Sequence, residues 1–217
     1  MRLLLLRHAE SLGNREFRLQ GRRDFPLTER GRQQARALAG RLASAGLTTV
    51  YTSPIGRARE TARILAGAAG VRPRREPRVQ EYDFGEALSG LTWQEIREQH
   101  PEIVAALLND DSEFPRYPGE EGRAAFRDRV CPAIREIAER HAADQAVAIV
   151  THAGPIVVFV IELLGRKYSR PIPFSVDNAS VTTVEFSAGG SPFLPEAVLI
   201  GLNDTCHLRA LETGGAK

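Results

Sequence analysis

The sequence predicts an α/β fold, a three-layer sandwich with a mostly parallel central sheet flanked by helices. Short apolar segments of strand length alternate along the chain with amphipathic segments of helical period. The 217 residues are 42% hydrophobic and 26% charged, which is typical of one globular domain with a sizeable core. No linker, repeat or low-complexity tract divides the chain. The predicted domain therefore spans residues 1–217.

The first predicted strand–helix unit begins with the apolar segment Leu3–Leu6, which reads as a short buried strand. A helix is predicted to begin at Thr28, because threonine is a good N-cap and an apolar stripe of helical spacing follows it. Gly46 is a plausible end for this helix, since glycine commonly follows the last helical turn.

The second unit begins with a strand around Val50–Thr52. Ser53 is predicted to cap the next helix, with Pro54 in its first position, where proline costs no hydrogen bond. This start places Arg57 at the fourth helical position. The helix should end within the small residues 67–70.

The rest of the chain predicts three more helices and three more strands. An exposed loop is expected over 109–122, and Pro132 should kink a helix or restart it. The last two strands should pair antiparallel, because only a turn separates them. The predicted helices are Thr92–Gln99 with an extension past Pro101, a segment around Phe126–Ile137, and Ile156–Leu164; the predicted strands are Ala146–Val150, Val181–Phe186 and Ala197–Leu202.

Composition excludes several classes of protein. No apolar run approaches the roughly 18 residues of a membrane span, and no signal-peptide pattern begins the chain. Cys131 and Cys206 lack metal or redox spacing, so we expect a cytoplasmic protein without a disulfide scaffold. The first 80 residues contain 17 arginines against six acids, which suits an anionic ligand or nucleic acid. No aromatic motif is interleaved with these arginines, which disfavours nucleic acid.

The most informative feature is the position of two histidines. His8 and His152 each follow the carboxyl end of a predicted buried strand, where open α/β sheets bind their ligands. Arg7 is adjacent to His8, and Arg57 lies near the start of a helix that also follows a strand. The backbone N–H of Ala153 opens the helix after His152. This set of groups favours a bound phosphate.

Two arginines, amide donors and a protonated His152 would balance a phosphate dianion and leave His8 neutral. A neutral histidine can act as a nucleophile and form a phosphohistidine. Its other ring nitrogen then needs an acceptor that holds the tautomer, and several acceptors are open at this point.

The chain resembles the histidine phosphatase (phosphoglycerate mutase-like) superfamily. The family's motifs appear in order along nearly the whole chain, starting with an RHG-like tripeptide at Arg7–Ala9. The similar segments are RHAE with Asn14, GRRDFPLTERGRQQA at 21–35, TSPIGRARETA at 52–62, QEYDFG at 80–85, VTHAG at 150–154 and DNASVT at 177–182. Ala9 and Ala153 stand where the family usually has glycine. The segment GEALSG at 85–90 lacks the tryptophan that phosphatase relatives commonly have after the proton-donating acid.

The resemblance implies metal-independent hydrolysis of a phosphomonoester, with no cofactor. His8 would attack phosphorus, and Glu81 would protonate the leaving oxygen and later activate water. The groups that would hold the phosphoryl oxygens are Arg7, Asn14, Arg57 and His152. The expected partner is a small phosphorylated substrate, not nucleic acid or a membrane. The oligomeric state, monomer or homodimer, is open.

Three alternative functions use the same residues. A phosphoglycerate mutase shares the chemistry, but the acidic segment 100–122 would repel a bisphosphoglycerate if it forms a lid, so phosphatase activity is preferred. A metallohydrolase would use His8 and His152 as ligands, and the flanking arginines oppose a cation there. A non-catalytic phosphoryl-binding module would not need both His8 and Glu81. The roles of Arg22 and Arg23, at the pocket mouth or in solvent, are open.

Overall fold

A computed structural model describes residues 1–109, 117, 119–168, 172–187 and 196–213. The strands are β1 Arg2–Arg7, β2 Leu47–Thr52, β3 Pro73–Arg75, β4 Ala146–Thr151, β5 Val181–Phe186 and β6 Ala197–Asp204. The helices are α1 Leu12–Arg15, α2 Glu29–Leu42, α3 Gly56–Ala68, α4 Gly85–Leu88, α5 Trp93–Gln99, α6 Pro101–Asn109, α7 Arg123–Glu139, α8 Ala153–Leu163 and α9 Arg209–Thr213. Pro77–Val79 and Cys206–Leu208 form 3₁₀ turns. None of these described helices is long and apolar enough to cross a bilayer.

The strands form one sheet in the order β3–β2–β4–β1–β5–β6. The pairs β3–β2, β2–β4 and β4–β1 are parallel, whereas β5 is antiparallel to both β1 and β6. The predictions of a mostly parallel sheet and of an antiparallel last pair are confirmed. Arg7 at the end of β1 is in register with Thr151 at the end of β4. The residues that follow these two strands are therefore neighbours.

Helices cover both faces of the sheet, which confirms the three-layer architecture. Side chains alternate across a strand, so β1 sends Leu4 and Leu6 to one face and Leu3 and Leu5 to the other. The first pair packs with α2 and α3, and the second pair packs with α7 and α8. The helix α8 is buried along most of its length, which matches its nearly continuous apolar sequence.

The start of α3 differs from the prediction. The helix begins at Gly56, so Ser53 is not its N-cap and Arg57 is its second residue, not its fourth. The hydroxyl of Ser53 instead lies 2.8 Å from Nε2 of His152. The carboxylate of Asp24 accepts hydrogen bonds from the backbone N–H of Gly56 at 2.8 Å and of Arg57 at 3.3 Å. A residue distant in sequence thus performs the capping that Ser53 was expected to provide.

Other local differences are smaller. The edge strand β3 forms in an arginine- and proline-rich segment for which the sequence predicts no strand. The helix around 93–99 ends before Pro101, which begins a separate helix, α6. Pro132 lies inside a single helix α7, so the chain does not restart there. Most of the predicted loop 109–122 lies outside the described residues.

Gly31 in α2 is a site where we expect a large packing effect from one methyl group. A Cβ at this position would overlap the backbone carbonyl of Glu10, whereas a Cβ at Gly40 in the same helix would meet nothing within 4 Å. Gly31→Ala should lower the free energy of unfolding by about 1–3 kcal/mol through overpacking. Gly40→Ala should raise it by about 0.5–1 kcal/mol through helix propensity. Urea unfolding measures both, and equal effects would contradict the proposed contact between α2 and Glu10.

Candidate active site

The carboxyl ends of β1 and β4 bring two histidine rings together. His8 and His152 are 3% and 0% exposed, and their ring centroids are 5.1 Å apart. The backbone N–H of His8 donates to the carbonyl of Thr151 at 2.8 Å, which extends the pairing of the two strands by one residue. The predicted proximity of the two histidines follows directly from this strand register.

The ring of His8 is held in one tautomer. Its Nδ1 lies 2.8 Å from the carbonyl oxygen of Ala9 and donates to it. Its Nε2 accepts a hydrogen bond from Nε of Arg57 at 3.2 Å, so Nε2 has a lone pair. Burial, followed by the positive charges of Arg57 and Arg7, holds the pKa of His8 well below its usual value. His8 is therefore neutral, and the acceptor left open by the sequence is the carbonyl of Ala9.

The two predicted phosphate-binding arginines are both anchored by backbone carbonyls. Arg57 is 1% exposed and donates to the carbonyls of Arg23 at 2.8 Å and Gly21 at 2.7 Å. Its burial lowers its pKa to about 10, which still leaves it charged at neutral pH. Arg7 donates from Nη1 to the carbonyl of Val176 at 2.5 Å, and burial lowers its pKa as well. Its Nε is buried and has no hydrogen-bond partner among the described residues.

Asn14 lines the same cavity and is oriented by its neighbours. Its Oδ1 accepts from the backbone N–H of Ser11 at 3.1 Å and from Nδ2 of Asn178 at 3.2 Å. Nδ2 of Asn178 also donates to the carbonyl of His8 at 3.0 Å. Asn178 thus connects Asn14 to the backbone of His8. The DNASVT segment does not by itself predict this position for Asn178.

Glu81 reaches the cavity from the segment after the 3₁₀ turn. Its carboxylate accepts hydrogen bonds from the backbone N–H of Tyr82 at 2.8 Å and of Gly154 at 3.2 Å. A Cβ at position 154 would overlap this carboxylate, so a glycine is required for Glu81 to approach the start of α8. Gly154 therefore determines the position of the Glu81 carboxylate. In the sequence it is only the last residue of the VTHAG motif.

Arg129 in α7 supports the backbone that carries Glu81, a role that no motif in the sequence predicts. Its guanidinium donates to the carbonyls of Arg78 at 2.7 Å, Gln80 at 3.0 Å and Glu81 at 2.9 Å. It also forms an ion pair with Glu121. No local pattern distinguishes this arginine from others in an amphipathic helix, because its acceptors are carbonyls about 50 residues away.

His152 occupies the N-cap position of α8, and Ala153 is the first helical residue and lines the cavity. Burial, followed by the positive charge of Arg57, lowers the pKa of His152 well below its usual value. The protonated His152 considered from the sequence is therefore not favoured in this structure. Its Nδ1 is buried without a hydrogen-bond partner among the described residues.

The remaining predicted features of the cavity mouth have other partners. Arg22 forms ion pairs with Asp83 and Glu121, and Arg23 donates to the carbonyl of Ser89, so neither arginine lines the cavity. Glu121, one of the acids of the predicted lid, is thus bound to arginines. The acids at 110, 111 and 113 lie outside the described residues.

The site residues line one cavity of about 370 Å³. Its floor is polar and cationic, and it contains six of the seven predicted site residues: Arg7, His8, Asn14, Arg57, Glu81 and Ala153. The seventh, His152, does not line the cavity, and its ring makes an edge contact with the ring of His8. Two buried arginines and a neutral histidine with an unprotonated Nε2 form a floor that suits an anion with an electrophilic centre. Among the described residues, no group of three or more His, Cys, Asp or Glu side chains is placed to hold a metal ion.

The two buried histidines predict a pH-dependent stability. Their pKa values are lowered in the folded state, so the unfolded chain binds protons first as the pH falls below 6.5. The free energy of unfolding should fall between pH 7.5 and 5.5, by at most about 1.4 kcal/mol per pH unit for each histidine. Denaturant unfolding of the protein and of His152→Gln checks this, because the variant should show a shallower dependence. Identical slopes for the two proteins would contradict the neutral state of His152.

The structure thus defines an α/β protein with a buried cationic cavity at the carboxyl ends of its central parallel strands. The chain belongs to the histidine phosphatase superfamily (branch 1), whose family model matches residues 3–195. The resemblance seen in the six sequence motifs is confirmed.

Three similar proteins show how far this relationship extends. Phosphoserine phosphatase 1 of Hydrogenobacter thermophilus is 34% identical over 208 residues, which cover 96% of this chain and 94% of that protein. A protein of Yersinia enterocolitica named "Probable phosphoglycerate mutase GpmB" is 29% identical over 209 residues, with 96% and 95% covered. The solved structure of YhfR from Bacillus stearothermophilus matches with a TM-score of 0.85 at 30% identity, covering 96% and 99% of the two chains. The family and the phosphatases within it support phosphatase activity.

Proposed function

We propose that the protein is a metal-independent phosphatase that hydrolyses a small organic phosphomonoester through a phosphohistidine at His8. One observation carries the proposal most directly. Nε2 of the neutral, buried His8 faces the Arg57 guanidinium in the cavity that also contains Glu81. A nucleophile with a lone pair, a cation for the phosphoryl oxygens and a carboxyl group are the parts that this reaction needs.

In the first proposed step, the lone pair on Nε2 of His8 attacks phosphorus and forms a P–N bond. The P–O bond to the alcohol breaks, and the protonated carboxyl group of Glu81 transfers its proton to the leaving oxygen. The Nδ1–H bond to the carbonyl of Ala9 stabilises the positive charge that develops on the ring. The alcohol then leaves, and a phosphohistidine remains.

In the second step, water attacks the phosphohistidine and gives its proton to the Glu81 carboxylate. The P–N bond breaks, its electron pair returns to Nε2 of His8, and inorganic phosphate is released. Throughout both steps the phosphoryl oxygens would bind Arg7, Asn14, Arg57, His152 and the N–H of Ala153. Two arginines offset the two negative charges of the phosphate, so a neutral His152 is sufficient as a hydrogen-bonding group.

Phosphoglycerate mutase activity is the alternative, because one relative has that name and the phosphohistidine chemistry is shared. The two activities differ in whether water or a phosphoglycerate accepts the phosphoryl group.

We place the protein in the cytoplasm, since Cys131 and Cys206 are both free thiols, which suits a reducing compartment.

Phosphate release from a panel of phosphomonoesters, measured in excess EDTA, tests the proposed function. We expect hydrolysis that is unaffected by the chelator, together with little conversion of 3-phosphoglycerate to 2-phosphoglycerate in the presence of 2,3-bisphosphoglycerate. Activity lost with EDTA and restored by zinc would contradict the mechanism. Efficient isomerisation with negligible phosphate release would instead assign the mutase activity. Phosphate binding without turnover of any ester would indicate a non-catalytic module.

A further inference from the structure

The cavity extends beyond its cationic floor into a chamber with apolar walls. Its lining includes the rings of Tyr82, Phe84 and Phe126 and the side chains of Val157 and Val158 of α8. We propose that the substrate's alcohol is a large apolar or aromatic group, bound in this chamber. This inference rests on the proposed function and specifies its substrate class.

Three aromatic rings form a continuous wall. The centroid of the Tyr82 ring lies 5.0 Å from that of Phe84 and 5.2 Å from that of Phe126. The hydroxyl of Tyr82 donates to the carboxylate of Glu120 and accepts from the N–H of Gly122 at 3.1 Å. Because the hydroxyl is bound outside the wall, Tyr82 presents the cavity with ring carbon. Such a wall favours an apolar or aromatic surface on the ligand.

Trp93 lies at the mouth of the chamber and is 48% exposed. It is the first residue of α5, held there by a capping box in which Thr92 and Glu95 exchange hydrogen bonds. A large exposed aromatic side chain at the edge of a cavity loses water contact when a ligand covers it. An apolar alcohol that extends out of the chamber would contact the Trp93 ring and exclude water from it.

The two arginines of the chamber walls are already engaged. Arg18 pairs with the carboxylates of Glu16 and Glu95, which offset its charge. The guanidinium of Arg123 lies 3.8 Å from the centroid of the Tyr168 ring, stacked on its face. The walls therefore provide apolar surface and stacked planes more readily than a second site for a carboxylate or phosphate. A phosphoglycerate or phosphoserine would bury its charged groups against rings and aliphatic side chains at a cost.

A series of n-alkyl phosphates from ethyl to octyl tests the chamber, because the leaving alcohols have similar reactivity and differ in apolar surface. Burial of each methylene should raise kcat/KM by about two- to fourfold until the chamber is filled. The kcat/KM values for phosphoserine and 3-phosphoglycerate should be lower than the value for ethyl phosphate. The matching alkyl phosphonates, which are not hydrolysed, should bind more tightly with each methylene in calorimetry.

Trp93→Ala should lower the ratio of kcat/KM for octyl phosphate to that for ethyl phosphate by about tenfold. Phe17→Ala is the matched control, since Phe17 is 81% exposed and lies outside the cavity, and it should leave this ratio unchanged. Chain-length-independent hydrolysis and phosphonate binding would overturn the inference while leaving the proposed function intact. Chain-length-dependent phosphonate binding without hydrolysis of any ester would overturn the proposed function and support the apolar chamber.

Discussion

Replacement of His8 by alanine is expected to reduce kcat for phosphomonoester hydrolysis by about 10⁴–10⁶-fold. The reason is that Nε2 of His8, which is unprotonated and accepts a hydrogen bond from Arg57, is the proposed nucleophilic atom. Rapid acid-free quenching with ³²P-labelled substrate should trap a phosphoenzyme in the unmodified protein and none in the variant. Peptide mapping should then place the label on His8.

The control is His100→Ala, which removes a partly exposed histidine paired with Glu102. It should keep both the activity and the trapped phosphoenzyme. Thermal unfolding of both variants separates a catalytic loss from a loss of folded protein. A folded His8→Ala variant with more than a tenth of the original kcat would exclude His8 as the nucleophile.

The second large effect is expected for Glu81→Gln, and it should depend on the leaving group. An alkyl alcohol needs a proton as the P–O bond breaks, whereas p-nitrophenolate leaves without one. The variant should therefore lose about 10²–10⁴ in kcat/KM for ethyl phosphate and much less for p-nitrophenyl phosphate. The comparison uses kcat/KM because kcat also includes hydrolysis of the phosphohistidine, which needs Glu81 for every substrate.

Glu86→Gln is a suitable control for this experiment, since Glu86 is exposed in α4 and lies outside the cavity. It should leave both kcat/KM values within about twofold. Equal losses for the two substrates in Glu81→Gln would mean that Glu81 is not the leaving-group acid.

The positions of His8 and His152 are predicted well, because the apolar pattern of the sequence identifies the two strands that they follow. The apolar segments that become β1 and β4 are unambiguous, and their carboxyl ends place His8 and His152 together. The supports of the site were not predictable in the same way. Arg129 acts through backbone carbonyls about 50 residues away, and Asp24 caps a helix 32 residues further on. Carbonyl acceptors are the same at every residue, so no side-chain pattern marks them.

The same limit explains the wrong start of α3. Ser53 followed by Pro54 is a good local signal for a helix N-terminus. In the folded chain the Ser53 hydroxyl lies against His152, and it accepts from the N–H of Ile55 at 3.3 Å. The tertiary contact with a histidine 99 residues away replaces the local capping role. The local signal at Ser53 is misleading because its side chain contacts His152 and does not cap the helix.

The position of β1 and β4 in the middle of the sheet separates two kinds of local stability. Each of these strands is hydrogen-bonded on both sides, so exchange of their amide protons with solvent requires unfolding of the whole domain. The chamber wall at Tyr82, Phe84 and Trp93 belongs to short helices and loops outside the sheet, which can open in smaller units. We therefore expect substitutions at Phe84 and Trp93, which lie outside the core that packs on the sheet, to leave the cooperative unit that holds His8 and His152 unchanged. One catalytic floor can in this way be retained while substrate preference diverges.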